Sequence, residues 1–110
     1  MKSTYREERP WGAFEQFTHN EETTVKILIV KDLLSYQRHK HRDEFWRVLS
    51  GEGYAILNDE KIPLKKGDEL FIKRGDKHRL GSEKTMEVLE ISYGTFDEED
   101  NERLEDKYGR

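Results

Sequence analysis

The 110-residue chain has no cysteine, only two prolines and no apolar run long enough to cross a bilayer. Without cysteine there is no disulfide framework, thiolate nucleophile or thiolate metal centre, so any bound metal must be held by nitrogen and oxygen. The absence also fits a reducing compartment. The opening residues MKSTYREERPWG contain no apolar segment of the kind that marks a secretory leader. A soluble, cytoplasmic protein with no membrane partner is expected. Hydrophobic residues are scarce as well, 33% against 40% charged, a balance that favours disorder when aromatic and β-branched residues are also few. Here they are not few: five Tyr, five Phe and two Trp cluster with Val and Ile in short blocks, which implies a folded chain with a thin core. The length suits one domain, and homodimerisation would complete the burial that so small a core leaves undone. The formal charge is −4 and Lys and Arg are spread along the chain, so there is no basic stripe for a nucleic-acid backbone. Nucleic acid is not an expected partner.

Aromatic and β-branched residues alternate with polar ones in GAFEQF and TTVKILIV, and further short blocks follow in GYAILND, KIPLKKGD, ELFIKRGD, KHRLGS and TMEVLEISYG. Turn signals every eight to twelve residues predict an all-β, antiparallel barrel or double-layer sandwich. An arm over 9–18, a core over about 23–96 and a charged extension over 97–110 are expected. The extension DEEDNERLEDKYGR is expected to lie on the barrel with a short helical turn. Arg38 to Leu49 also fits an amphipathic helix, but the surrounding strands favour FWRVLSG as a strand pairing across a tight SGEG turn with YAILN.

In an extended segment, residues two apart share a face, which places Gln37, His39 and His41 together. Glu44 breaks that parity, so a bulge or turn at HRDE is required to bring its carboxylate alongside. His78 stands in a second glycine-punctuated block and returns to the first pair only in a closed or sandwiched sheet. Imidazole and carboxylate without thiolate suit Zn, Fe, Ni or Mn. On residue types alone, RHKHR is more often a solvated surface segment than a metal site. Trp11, Trp46, Tyr54 and Tyr93 can stack on a sugar or simply pack, and whichever of Phe45 and Trp46 faces inward belongs to the core.

The two blocks resemble the two motifs of the cupin superfamily. His39, His41, Glu44 and Gly51 fall on the first, and Gly67, Gly75 and His78 on the second. Two residues separate His41 from Glu44 where most cupins have three or four, and Lys73 and Ser82 replace the usual Pro and Asn. The narrower pattern RPWG, QRHKHRDEFWRVLSGEGYA, KHRL and ERLEDKYGR resembles the cupin domain of type II mannose-6-phosphate isomerases, with Phe45 where that family often has His. No guanylyltransferase domain is expected in front of it.

The resemblance implies a double-stranded β-helix and the interconversion of mannose 6-phosphate and fructose 6-phosphate. It implies a divalent metal, Zn first with Mn, Fe, Ni or Co as alternatives, on His39, His41, Glu44 and His78, with Gln37 as a further ligand or support. The proton-transfer base is then Glu44, Glu90 or Glu69. The phosphate falls to Arg42, Arg79 and Lys73, with Arg47 as another candidate and Lys107 and Arg110 folding over the pocket. The alternatives are a non-catalytic sugar or sugar-phosphate-binding module and another metal-dependent cupin enzyme, an epimerase or dioxygenase.

Overall fold

Short aromatic and β-branched blocks punctuated by glycine and Asx turns favour strands over helices, and every regular element among the described residues is a strand. The computed structural model describes residues 5–16, 19, 22–95, 97 and 99–105, with the backbone alone at 14 and 15. The strands are β1 (Tyr5–Arg9), β2 (Gly12–Gln16), β3 (Thr23–Val30), β4 (Tyr36–Arg38), β5 (Arg42–Leu57), β6 (Glu60–Lys65), β7 (Glu69–Ile72), β8 (His78–Gly81), β9 (Met86–Gly94) and β10 (Glu102–Glu105). All pairings are antiparallel. One layer runs β7-β5-β9-β3 and the other β6-β5-β8-β4-β10. No helix among the described residues is long and apolar enough to cross a membrane.

Strand β5 belongs to both layers. Its first half pairs with β7 and β9, and its second half with β6 and β8. Here the structure corrects the hairpin expected at SGEG: the chain does not reverse there but bends within one long strand. The register slips between Val48 and Ser50, and Gly51 takes φ 77. A bulge of this kind sharpens local twist, which lets one strand turn the corner between layers. The reversal comes later, at Asn58 and Asp59, whose φ values of 47 and 70 give the doubly left-handed turn that matches hairpin twist.

Tyr36 locks that turn from outside. Its hydroxyl donates to Asp59 Oδ1 at 2.8 Å and accepts from the Asp59 N–H at 2.7 Å. Tyr36→Phe removes both bonds, and a loss of about 1–2 kcal/mol is expected in denaturant unfolding. An unchanged midpoint would mean that the hairpin holds without the lock.

The core between the layers consists of Val30, Trp46, Val48, Ala55, Leu64, Ile72, Leu80, Met86 and Val88. Trp46 is the inward aromatic and sits in this cluster, while Phe45 is buried on the opposite face of β5. Trp11 is exposed and is no part of the core. RPWG forms the turn of the β1–β2 hairpin rather than the start of an arm at residue 9. In the extension, Glu102–Glu105 is a strand on the edge of β4, where a helical turn was expected. All four of its residues are exposed, and the Arg38 guanidinium pairs with Glu102 at 2.9 Å and 3.1 Å. Lys107 and Arg110 lie outside the described residues.

Candidate metal centre

Three buried side chains from three segments meet beside Trp46. His39 lies in the bend between β4 and β5, Glu44 near the start of β5, and His78 at the start of β8. One ligand atom from each lies within 4.8 Å of the others. The imidazole rings are 4.9 Å apart, and His78 stands edge-on to Trp46 at 5.6 Å.

Main-chain carbonyls fix both tautomers. His39 Nδ1 lies 2.7 Å from the Asp100 carbonyl, and His78 Nδ1 lies 2.9 Å from the Asp76 carbonyl. A carbonyl can only accept, so each Nδ1 carries the hydrogen and each Nε2 presents a lone pair. Both lone pairs face Glu44 Oε1, at 3.3 Å and 3.1 Å. Glu44 Oε1 and His78 Nε2 are buried and have no hydrogen-bond partner despite this approach. Acceptors gathered this closely in a dry interior repel one another unless a positive charge lies among them. The donor set therefore fits a divalent cation, with three protein ligands and open positions of the catalytic type.

Charge at the centre follows from the same contacts. Burial by itself pushes the Glu44 carboxyl up, but the two imidazoles facing it, when protonated at Nε2 as well, outweigh burial and hold the group well below the usual carboxylate range. Glu90 goes the other way: burial first, then the neighbouring Glu44 charge, push it up to about 8. Trp46 Nε1 donates to Glu90 Oε2 at 3.2 Å and fixes its orientation.

A cavity of about 360 Å³ opens onto this centre, lined by Lys26, Gln37, Arg42, Glu44, Glu90, Asn101 and Arg103 among others. A larger depression of about 500 Å³, around Tyr54, Lys61 and Lys84, shares none of these residues. Gln37 belongs to the cavity wall, with its Oε1 held by the Ser35 hydroxyl at 3.2 Å. Arg42 is buried, and its Nη2 donates to His39 Nε2 at 3.1 Å.

Four expected site residues lie elsewhere. His41 is exposed and outside the cluster, because 39–41 is a bend rather than a strand and the parity argument fails there. The Lys40 and His41 N–H groups instead donate to the Asp100 carboxylate. Arg79 follows His78 in β8, so it faces the opposite side of the sheet. There its Nε donates to the Leu34 carbonyl at 3.0 Å, its Nη1 pairs with Glu105, and its guanidinium stacks on Tyr36. Lys73 is exposed at a turn where its N–H donates to Asp76. Glu69, a candidate base, forms an exposed ion pair with Arg47.

Lys26, Asn101 and Arg103 were not anticipated at the site. Lys26 was legible in principle, because alternation in TTVKILIV places it with Leu28 on the face opposite Val25, Ile27 and Ile29. Asn101 and Arg103 depend on where the extension docks, which no local pattern encodes.

Residues 1–106 match the family described as mannose-6-phosphate isomerase C-terminal. Among curated relatives, the chain is 36% identical over 107 residues to the xanthan biosynthesis protein XanB of Xanthomonas campestris, covering 93% of this chain and 23% of XanB. It is also 36% identical over 107 residues to the alginate biosynthesis protein AlgA of Pseudomonas aeruginosa, covering 93% of this chain and 22% of AlgA. The chain thus spans less than a quarter of these relatives. Among solved structures, the Streptomyces nucleoside dehydratase Pac13 superposes with a TM-score of 0.69 at 22% identity, covering 81% of this chain and 73% of that one. This likeness concerns the fold, a cupin double-stranded β-helix.

Proposed function

Since the chain belongs to the mannose-6-phosphate isomerase C-terminal family, we propose that it is a divalent-metal-dependent aldose–ketose isomerase acting on mannose 6-phosphate and fructose 6-phosphate. The observation that carries this reading is the buried convergence of His39, Glu44 and His78, with Glu44 and a second carboxyl, Glu90, lining one polar cavity.

Exchange of aldose for ketose moves a proton between C2 and C1 through a cis-enediol and places negative charge on the sugar oxygens. His39, Glu44 and His78 would hold a divalent cation, which when bound would supply a Lewis acid for that charge. Glu44 is committed to this centre, and Glu69 is turned to solvent, which leaves Glu90 to take the proton at C2 and return it at C1. Trp46 keeps Glu90 in place, and the low-dielectric wall makes its protonated and ionised forms close in energy at neutral pH. The test is coupled turnover of mannose 6-phosphate by metal-reconstituted protein. Glu90→Gln should lower kcat by about a hundredfold or more while leaving the metal bound. Undiminished turnover in that variant would assign the base elsewhere.

One observation favours a second reading. Arg42 already donates to His39 Nε2, so a cation that uses this nitrogen must displace a charged hydrogen bond. A sugar-phosphate-binding module without a metal is the consequence if the arginine wins. Elemental analysis after reconstitution separates the two readings.

A homodimer belongs to the same proposal. Strand β3 lies at the edge of its layer and leaves Val25, Ile27 and Ile29 exposed by 61%, 58% and 63%, with Ile91 and Leu89 in register beside Val25 and Ile27. Such an apolar edge is a liability in a monomer, and a second copy covers it. Light scattering should give twice the chain mass, and Ile27→Lys should give the monomer. A monomer from the unaltered protein would reject the dimer.

A further inference from the structure

The cavity over the metal centre is walled by both layers, and each contributes a cation. Lys26 enters from β3, directly opposite Glu90 in register, and Arg103 enters from β10, opposite Gln37. Asn101 lines the same cavity, and its Oδ1 is buried without a hydrogen-bond partner among the described residues. Arg103 is exposed on an edge strand and forms no ion pair among the described residues. The two acidic groups of the cavity, Glu44 and Glu90, lie deeper, at the cluster and on β9.

From this placement we propose that Lys26 and Arg103 form the anion subsite for the phosphate of the substrate, with Asn101 Oδ1 accepting a hydrogen bond from a sugar hydroxyl. Arg79 and Lys73 take no part. The inference rests on the sugar-phosphate reading given above and deepens it. Arg103 stands on the exposed side of the cavity, which biases the phosphate outward and leaves the polyol to the buried cluster. The planar guanidinium of Arg103 can grip two phosphate oxygens at once, and Lys26 supplies a point charge from the facing layer. A cavity of this size, lined by both cations and by Glu44 of the cluster, is in the range that holds such a ligand. Binding energy from the remote phosphate then orients C1 and C2.

The C-terminal segment gains a role from this arrangement. Asp100 fixes the His39 tautomer, Asn101 addresses the sugar and Arg103 addresses the phosphate, so three nearby residues tie the metal centre to the far end of the ligand.

The experiment is calorimetric titration of metal-reconstituted protein with mannose 6-phosphate, fructose 6-phosphate and inorganic phosphate. Arg103→Gln should weaken both sugar phosphates by about tenfold to a hundredfold, as expected for the loss of a charge-assisted contact, and Lys26→Gln by about tenfold. Metal content should not change in either variant. Arg79→Gln, provided that it remains folded by circular dichroism, should bind like the unaltered protein. Affinity should also fall with rising salt in the unaltered protein and less so in Arg103→Gln. Equal affinity of Arg103→Gln and unaltered protein for the sugar phosphates would overturn the subsite, as would failure of the unaltered protein to bind any of the three probes at millimolar concentration. Arg103-dependent binding without turnover would support the subsite and remove the isomerase reading, so the two failures are distinguishable.

Discussion

His78→Ala is expected to lower affinity for a divalent cation by more than about a hundredfold and to abolish turnover, because it removes one of three protein ligands and leaves Glu44 buried without one of its two imidazole partners. Glu44→Gln should do the same to affinity, since it removes the only negative charge in the ligand set. His41→Ala and His19→Ala should leave metal content unchanged: His41 is exposed and outside the cluster, and His19 is exposed. Elemental analysis of the four variants after identical reconstitution reads this directly. Equal metal in all four would remove the centre. Loss of metal in His41→Ala matching that in His78→Ala would mean that the bend at 39–41 rearranges to bring His41 inward.

The second large effect concerns the corner of β5. Gly51→Ala is expected to destabilise the fold by about 3 kcal/mol, with a fall in Tm of roughly 12–24 °C for a domain of this size. Two causes combine. The backbone is left-handed at φ 77, and an added Cβ would collide with the Thr85 main-chain carbonyl, which β9 pairing holds in place. Gly67 is the control. Its φ is 91, but nothing lies within 4 Å of an added Cβ, so Gly67→Ala should cost about 1 kcal/mol from conformation alone. Equal losses at the two sites would show that backbone strain, and not the close approach of β9, governs the corner.

Much of this architecture could be read from residue order, and the places where the reading failed have physical causes. Alternation and turn residues are local, so the blocks TTVKILIV, KIPLKK and MEVLEISYG emerged as strands, and Asn58-Asp59 as a turn. SGEG misled because glycine serves a bulge as readily as a hairpin, and only the partner strands decide between them. β8 and β9 pair on either side of the bend, and β5 therefore continues through it.

The same distinction runs through the site. His39, Glu44 and His78 were legible as candidate ligands from donor type and from the resemblance in spacing, whereas Glu90 was one of several candidate bases that no local pattern separated from Glu69. His41 was misassigned by extending strand parity into a bend. Arg79 was misassigned because proximity in sequence to His78 overrode parity in β8, where neighbours face opposite ways. Asn101 and Arg103 were missed because their place depends on β10 docking against β4, a long-range pairing with no local signature. Arg42 was assigned to phosphate, whereas the structure shows it bonded to His39 inside the cavity.

Solvent exchange at the reacting carbon tests the joint action of the cluster and Glu90 most directly. In D2O, metal-reconstituted protein incubated with mannose 6-phosphate should place deuterium at C2 of the sugar or C1 of the ketose as turnover proceeds, observable by proton NMR, and chelated protein and His78→Ala should place none. Protein that retains its metal and binds mannose 6-phosphate, yet produces neither fructose 6-phosphate nor exchange above the His78→Ala level, would contradict the isomerase and leave a binding module.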